Sequence, residues 1–208
     1  MIIRVGALLS ESYSNGPGCR SVLWVQGCSR HCPECWNPEL LSPYEGIDMP
    51  VKEVFSKLTV SNNIEGVTLL GGEPFEQAKP LVHLSKKLKD NHLTIMAYTG
   101  WTLEELKEKG GDCWELVKLC DILIDGKYIK SMAVPLLWRG SANQNVHFIT
   151  EKYKHLNPII NNYNRDFEIM IIGDKLVLTG DPLPQIKDLL KNKLEPKIKI
   201  YRNSNNMD

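Results

Sequence analysis

Three closely spaced cysteines could hold a metal centre. Cys28, Cys32 and Cys35 follow a Cys-x3-Cys-x2-Cys pattern, which places three thiolate ligands on one short loop. Thiolates are soft ligands that bind zinc and iron–sulfur clusters. A structural zinc site is usually closed by four protein ligands, and a cubane cluster normally has four cysteines. Three cysteines on a cubane would therefore leave one iron open to a different ligand.

The same loop has two other interpretations. His31 could complete a zinc site with the three cysteines, although its position next to Cys32 makes chelation of one ion by both residues awkward. Inert or redox-active thiols are the second alternative; disulfides within the loop are disfavoured, because three cysteines cannot all pair with one another. The loop by itself favours an iron–sulfur cluster and leaves zinc and free thiols open.

The chain around this loop alternates between strand and helix patterns. Apolar spacing and turn residues predict the elements: strands at 2–9, 21–26, 66–70, 93–98 and 121–124, and helices at 51–58, 80–88, 102–109 and 114–119. Such alternation is typical of βαβ units with right-handed crossovers. The sequence therefore predicts an α/β fold with a largely parallel sheet.

Glycine-rich and polar residues follow four of the predicted strands. They are the cysteine loop, Gly71-Gly72-Glu73-Pro74, Thr99-Gly100 and Asp125-Gly126-Lys127. Ligands of parallel sheets collect at the carboxyl ends of the strands. The four loops are therefore predicted to surround one site.

Each loop has a chemical use and a structural alternative. Gly71 and Gly72 let the backbone approach a ligand closely, so that its carbonyls accept from an ammonium group while Glu73 adds charge. The alternative is a tight strand-to-helix turn. Asp125 and Lys127 lie two residues apart, hence on one side of an extended chain. They could bind the two charges of a zwitterion or cap the strand end.

Three further side chains can be assigned to the core. Trp36 could stack on a purine or belong to the core. Cys113 and Cys120 lie seven residues apart on one helical face, and we expect both to be small buried apolar groups.

Together these residues resemble the radical S-adenosylmethionine (SAM) superfamily. The narrower resemblance is to the activating enzymes of glycyl-radical proteins, and among them to the activators of anaerobic ribonucleoside-triphosphate reductases. It covers about residues 1–150 and is carried by these segments in order: Asn15-Gly16-Pro17-Gly18-Cys19-Arg20, Trp24-Val25-Gln26-Gly27-Cys28, the cysteine loop, Gly71-Gly72-Glu73-Pro74, Tyr98-Thr99-Gly100-Trp101, Ile124-Asp125-Gly126-Lys127-Tyr128 and Trp138-Arg139-Gly140-Ser141-Ala142-Asn143-Gln144.

The resemblance implies a partial (β/α) barrel with one 4Fe-4S cluster on Cys28, Cys32 and Cys35, and SAM on the open iron. The cofactor-binding residues would come from three places. The backbone at Gly71, Gly72 and Glu73, with Pro74 and Thr99 beside it, would receive the methionine ammonium. Asp125 and Lys127 would stand near the methionine carboxylate, and Trp36 and Asn37 near the adenosine.

The resemblance also implies the reaction and its partners. The reduced cluster would cleave SAM to a 5′-deoxyadenosyl radical, which would generate a glycyl radical on a partner such as an anaerobic ribonucleotide reductase. A flavodoxin- or ferredoxin-like protein would supply the electron, and no catalytic residue beyond the cluster and SAM is implied. One alternative is radical chemistry on a peptide or small molecule. Another is a non-catalytic metal-binding or electron-carrying scaffold.

Two parts of the sequence depart from that family. Glu34 stands where the superfamily usually has an aromatic residue. Residues 151–208 extend beyond the compact activators, so we expect a core domain at 1–150 and a small α+β extension at 151–208. The extension is predicted to hold a polar linker at 157–164, a hairpin at 167–172 and 175–179, a helix at 184–194 and a strand at 198–201. Its basic end suits either a solvated helix face or a docking surface.

Composition excludes several classes of partner. Lys plus Arg and Asp plus Glu number 25 each, so no overall charge attracts nucleic acid or an anionic membrane. No apolar run approaches the roughly 20 residues that span a bilayer. Six unevenly spaced cysteines without an export signal suggest a reducing cytoplasm.

Overall fold

Strands and helices alternate along the first part of the chain, as predicted. The computed structural model describes residues 1–162, 166–172, 175–181, 186 and 200–201. The elements up to residue 125 are β1 (Ile2–Ser12), β2 (Arg20–Val25), β3 (Ile47–Pro50), α1 (Val51–Leu58), β4 (Gly66–Gly71), α2 (Ala78–Asp90), β5 (Thr94–Tyr98), α3 (Leu103–Lys109), α4 (Gly111–Leu119) and β6 (Ile122–Asp125). Every strand and helix predicted over this part is present, within about three residues at its ends.

The described residues after β6 form six further strands. They are β7 (Ala133–Leu136), β8 (Arg139–Ser141), β9 (Asn145–Phe148), β10 (Phe167–Ile172), β11 (Lys175–Gly180) and β12 (Ile200–Tyr201). The predicted hairpin of the extension is confirmed, since β10 and β11 pair antiparallel from Phe167–Gly180 to Ile172–Lys175. The predicted helix at 184–194 lies outside the described residues except for position 186.

Seven strands form one mixed sheet in the order β3-β1-β2-β4-β5-β6-β9. The four strands β2, β4, β5 and β6 run parallel. The strands outside them, β1, β3 and β9, pair antiparallel. The expectation of a largely parallel sheet therefore holds only for its centre. An antiparallel neighbour needs no helical crossover, and a short loop is all that joins β1 to β2.

One face of the sheet packs against the helices. Alternate strand residues such as Leu23, Leu69 and Ile95 are fully buried in the same cluster as Leu81 and Leu84 of α2. Period-two strands meeting 3.6-period helices produce this core. At the start of α3, Thr102 and Glu105 form a capping box: Thr102 Oγ1 accepts from Glu105 N–H (3.2 Å), and Glu105 Oε2 accepts from Thr102 N–H (2.7 Å).

The opposite face carries Val22, Trp24 and Met96, and it is covered by segments from the second half of the chain. Tyr153 packs on the β5–β6 side and Met170 of β10 on the β1–β2 side. The extension therefore contributes to a core beside the main sheet.

The buried guanidinium of Arg20 organises the segment between β1 and β2. Arg20 is fully buried, and its N–H groups donate to Thr68 Oγ1 (2.8 Å), Thr94 Oγ1 (3.0 Å) and Val67 O (2.8 Å). Thr68 Oγ1 donates in turn to Asn15 O (2.7 Å). Burial lowers the pKa of Arg20. The Asn15–Arg20 motif thus forms a turn held by neutral hydrogen-bond partners.

No helix in the described part of the chain combines the length and the apolar character needed to cross a membrane.

Candidate metal and cofactor site

The carboxyl ends of β2, β4, β5 and β6 open onto one cavity of about 240 Å³. Loops after all four strands line it, as their position in the sheet predicts. The predicted site residues that line it are Cys28, Cys32, Cys35, Trp36, Asn37, Gly71, Gly72, Glu73 and Thr99. We call this space the central cavity.

Three predicted site residues do not line the central cavity. Pro74 begins the short 3₁₀ turn Pro74–Gln77, and Lys127 is exposed. Asp125 is 1% exposed; its carboxylate accepts from Leu103 N–H (2.8 Å) and Asn145 Nδ2 (3.0 Å) and lies 2.9 Å from His147 Nε2. Burial alone would raise the pKa of Asp125, but these partners together lower it. The Asp125 carboxylate therefore already has partners within the protein.

Backbone and side-chain contacts hold the cysteine loop against its neighbours. Cys28 N–H donates to Leu41 O (3.1 Å), and Ser29 N–H donates to Glu76 Oε1 (3.0 Å). Arg30 donates to Gly100 O (3.0 Å) and stacks on the Trp101 ring at 3.9 Å. The loop is therefore anchored at its first cysteine and at the two residues that follow it.

The donor set of the loop suits a thiolate-bound cluster. Cys28, Cys32 and Cys35 are free, half-buried thiols that line the same cavity. Burial raises the pKa of Cys28 to about 11 and also raises that of Cys35. His31 is exposed and is not among the residues lining the cavity.

Binding a single metal ion requires side chains that converge on one point, whereas binding a cluster does not. Within the described ranges, no three His, Cys, Asp or Glu side chains are grouped to hold one metal ion. Thiolates on a four-iron cubane bind different irons, so a cluster does not require the three sulfurs to converge on a single point.

The Gly71-Gly72 turn passes directly against the cysteine loop. Gly72 N–H donates to Val25 O (2.7 Å), and Glu73 N–H donates to Gly27 O (2.8 Å). A Cβ at position 72 would lie 2.1 Å from Gly27 O, which only glycine avoids. The ends of β2 and β4 are therefore joined by main-chain hydrogen bonds.

The Glu73 carboxylate joins this turn to the end of β5. It accepts from Thr99 Oγ1 (2.8 Å), Gly100 N–H (2.8 Å) and Phe75 N–H (3.1 Å). Glu73 is 1% exposed, and burial raises its pKa to about 7 against the effect of these hydrogen bonds. The structural alternative, a tight turn after the strand, is also present, because the Glu73 side chain caps the 3₁₀ turn at Phe75 N–H. The bridge to Thr99 was not predicted.

An aromatic wall faces the cysteine loop. The Trp36 and Tyr128 rings meet edge-on with centroids 6.0 Å apart. Gln144 holds the neighbouring backbone, donating to Gly126 O (3.0 Å) and accepting from Gly140 N–H (2.9 Å). No role was predicted for Tyr128, although its position two residues after Gly126 places it at the same strand end.

Other lining residues come from distant parts of the chain: Ser14, Asn15, Asp166, Gly180 and Asp181. No sequence pattern connects these positions, because the contact arises from the packing of β10 and β11. By contrast, the prediction of a buried core thiol is confirmed for Cys120 and only in part for Cys113, which is half-buried. Cys120 is fully buried, and Cys113 packs against the same helix-side core.

Comparison with known proteins gives the following similarities. The sequence pattern of the "4Fe-4S single cluster domain" family matches residues 14–147. Proteins named anaerobic ribonucleoside-triphosphate reductase-activating protein are also similar. The one from Enterobacteria phage T4 is 37% identical over 152 residues, covering 69% of this chain and 93% of the phage protein. That of Salmonella typhi is 32% identical (65% and 92% covered), and that of Escherichia coli K12 is 30% identical (65% and 92%).

The bridge between Glu73 and Thr99 can be tested by a matched pair of variants. Thr99→Val removes a hydroxyl that donates to Glu73 and accepts from Trp101 N–H (3.1 Å). We expect the free energy of unfolding, measured by urea titration of the apoprotein, to fall by about 2–3 kcal/mol, because buried polar partners lose their hydrogen bonds. Thr99→Ser keeps the hydroxyl and should cost about 1 kcal/mol for the methyl group. Equal losses for both variants would contradict the bridge.

Proposed function

Because this chain belongs to the family of anaerobic ribonucleoside-triphosphate reductase-activating proteins, we propose that it cleaves SAM reductively and generates a glycyl radical on a partner enzyme. The family consists of radical SAM oxidoreductases that use one 4Fe-4S cluster and SAM. The partner proposed here is an anaerobic ribonucleotide reductase. The relatives carry that reductase in their names.

A reduced cluster held by Cys28, Cys32 and Cys35 would supply the one electron needed to split the sulfonium C–S bond of SAM into methionine and a 5′-deoxyadenosyl radical, and that radical would take a hydrogen atom from a glycine Cα. We propose a low-potential flavodoxin- or ferredoxin-like protein as the electron donor. The polypeptide contributes binding, orientation and exclusion of water.

Cys28, Cys32 and Cys35 are the proposed cluster ligands. The observation that carries this assignment is that all three free thiols line the cavity at the ends of the parallel strands. The anchoring of Ser29 by Glu76 and of Arg30 by Gly100 supports it, because a positioned loop loses less conformational freedom on binding the cluster.

SAM is proposed to lie in the central cavity beside the cysteine loop. The backbone of Gly71, Gly72 and Glu73 would receive the methionine ammonium, with Thr99 next to it. Trp36 and Asn37 would face the adenosine. This arrangement is supported by the lining of the cavity, where the glycine turn and the aromatic wall flank the thiols.

The three predicted residues that do not line the cavity would position the loops that do. Asp125 fixes the start of α3 through Leu103 N–H, and Lys127 O accepts from Asn143 Nδ2 (2.7 Å). Pro74 sets the turn after Glu73. We therefore propose that Asp125, Lys127 and Pro74 hold the loops around the methionine end of SAM without contacting it.

We also propose a fold type, a division into domains and a location for the protein. The mixed sheet, with four parallel strands and helices on one face, is consistent with a partial (β/α) barrel of the radical SAM type. Residues 1–150 would be the core and 151–208 the added extension. A cytoplasmic location, where thiols stay reduced, agrees with six free cysteines in the structure.

SAM cleavage is the first test. After anaerobic reconstitution with iron and sulfide, dithionite and SAM should yield 5′-deoxyadenosine. Cys28→Ala, Cys32→Ala and Cys35→Ala should each abolish the cluster's visible absorbance and the product, because a thiolate ligand is lost. Cys113→Ala and Cys120→Ala are matched controls from the core and should retain both signals. A scaffold without catalytic activity would bind the cluster and form no product.

Radical transfer is the second test. The reconstituted protein, SAM and reductant are mixed with an anaerobic ribonucleotide reductase, and the sample is examined by electron paramagnetic resonance. A glycyl-radical doublet is expected, and it should disappear with Cys32→Ala. Product formation from SAM without any doublet on the reductase would instead favour a peptide or small molecule as the hydrogen donor.

A further inference from the structure

The β10–β11 hairpin lies against the face of the sheet that forms the floor of the central cavity. Met170 of β10 packs on the cluster of Leu9, Val22 and Trp24. At the open ends of the hairpin, Asp166, Gly180 and Asp181 line the central cavity. These positions all lie beyond residue 147, where the match to the cluster-domain family ends.

One carboxylate of the hairpin holds the segment that follows β1. Glu168 Oε1 accepts from Tyr13 N–H (3.0 Å). Its Oε2 accepts from Ser14 N–H (3.1 Å), Ser14 Oγ (2.9 Å) and Ser12 Oγ. Burial alone would raise the pKa of Glu168, but these donors together lower it. A single side chain therefore fixes three consecutive residues.

A second hairpin residue holds the next position of that segment. Thr179 Oγ1 accepts from Asn15 Nδ2 (2.8 Å), and Asn15 Nδ2 also donates to Ser12 Oγ (2.8 Å). Ser14 and Asn15 both line the central cavity. The bonds from Glu168 and Thr179 thus connect the hairpin to the part of the cavity wall that precedes Arg20.

The hairpin and the Ser12–Asn15 segment are in close contact. Gly180 has φ +87°, and a Cβ there would lie 2.9 Å from Ser14 Oγ and 2.3 Å from Asp166 O. Asp181 N–H donates to Asp166 O (2.8 Å) and closes the open end of the hairpin. A side chain at position 180 would separate the hairpin from Ser14, so the contact depends on glycine.

We infer that the β10–β11 hairpin is a wall of the SAM site, and that Glu168 and Thr179 are positioning residues that order Ser12–Asn15 for SAM binding. This inference rests on the proposed function, since it takes SAM as the ligand of the central cavity. The residues act through the Ser12–Asn15 segment and do not take part in the cleavage step. Their loss should therefore weaken SAM binding and leave the rate at saturating SAM nearly unchanged.

The first test uses Glu168→Ala in the full chain. Hydrogen exchange of the Tyr13 amide in the apoprotein should accelerate at least about tenfold, because it loses its Glu168 acceptor. The Ser14 amide keeps Ser12 Oγ as a second acceptor (3.2 Å) and should accelerate less. The Kd for SAM, measured by equilibrium binding to the reconstituted protein, should rise about tenfold. The rate of 5′-deoxyadenosine formation at saturating SAM should stay within about twofold.

The second test uses an isosteric pair and a hairpin control. Thr179→Val removes the acceptor of Asn15 Nδ2 and should raise the Kd for SAM, whereas Thr179→Ser keeps the hydroxyl and should restore it to near the wild-type value. Ile171→Thr changes a position of β10 that is 78% exposed, and it should leave both the Kd and the exchange rates unchanged.

Failure of the inference is distinguishable from failure of the proposed function. If the wild-type protein binds and cleaves SAM while Glu168→Ala accelerates amide exchange without changing the Kd, the hairpin is structural only and the inference is wrong. An unchanged Kd in both Glu168→Ala and Thr179→Val overturns it as well. Absence of SAM binding and cleavage in the wild-type protein would instead overturn the proposed function.

Discussion

Glu73 connects three strand ends, and the central cavity depends on that connection. Its N–H donates to Gly27 O after β2, its own position follows β4, and its carboxylate accepts from Thr99 and Gly100 after β5. The connection is possible only because Gly72 brings the main chain against Gly27 without a side chain between them. The loops after β2, β4 and β5, which carry the proposed cluster ligands and the proposed ammonium site, are therefore placed relative to one buried residue.

The cost of burying Glu73 explains its surroundings. A carboxylate at 1% exposure is disfavoured in its charged form, and burial raises its pKa to about 7. Three hydrogen-bond donors from two different loops offset that cost. Buried Arg20 at the start of β2 is stabilised in the same way, because its N–H groups donate to threonine hydroxyls and a backbone carbonyl. Polar side chains buried in this way specify how the loops and strands fit together.

The parts of the fold that follow a local pattern could be predicted from the sequence. Helix α1 has its predicted bounds because Val51, Val54 and Leu58 recur at helical spacing, and the four loops meet because parallel strands end at one edge. The short strands β3, β7, β8 and β9 were missed, since three or four residues carry too little periodicity. The contacts of the Asp125 carboxylate could not be predicted either, because its partners Asn145 and His147 lie on a strand that pairs with β6 only in the folded chain.

In the extension, too, the local structure could be predicted from the sequence and the long-range contacts could not. Its hairpin was predicted from its own residues, but its position against Ser12–Asn15 depends on contacts more than 150 residues apart in sequence. The family core thus accounts for the thiols and the glycine turn, while the cavity of this chain also has a wall from outside the family match. A chain limited to residues 1–150 would lack the Glu168 carboxylate that accepts from Tyr13 N–H and Ser14 N–H.

The central claim is that three thiolates hold a four-iron cluster whose remaining iron is open to SAM. Mössbauer spectroscopy of protein reconstituted with iron-57 tests it most directly, because each iron's signal reports its own ligands. Addition of SAM should shift the signal of about one iron in four and leave the three thiolate-bound irons unchanged. A spectrum that SAM does not alter, or iron that does not assemble into a four-iron cluster on Cys28, Cys32 and Cys35, would contradict the account.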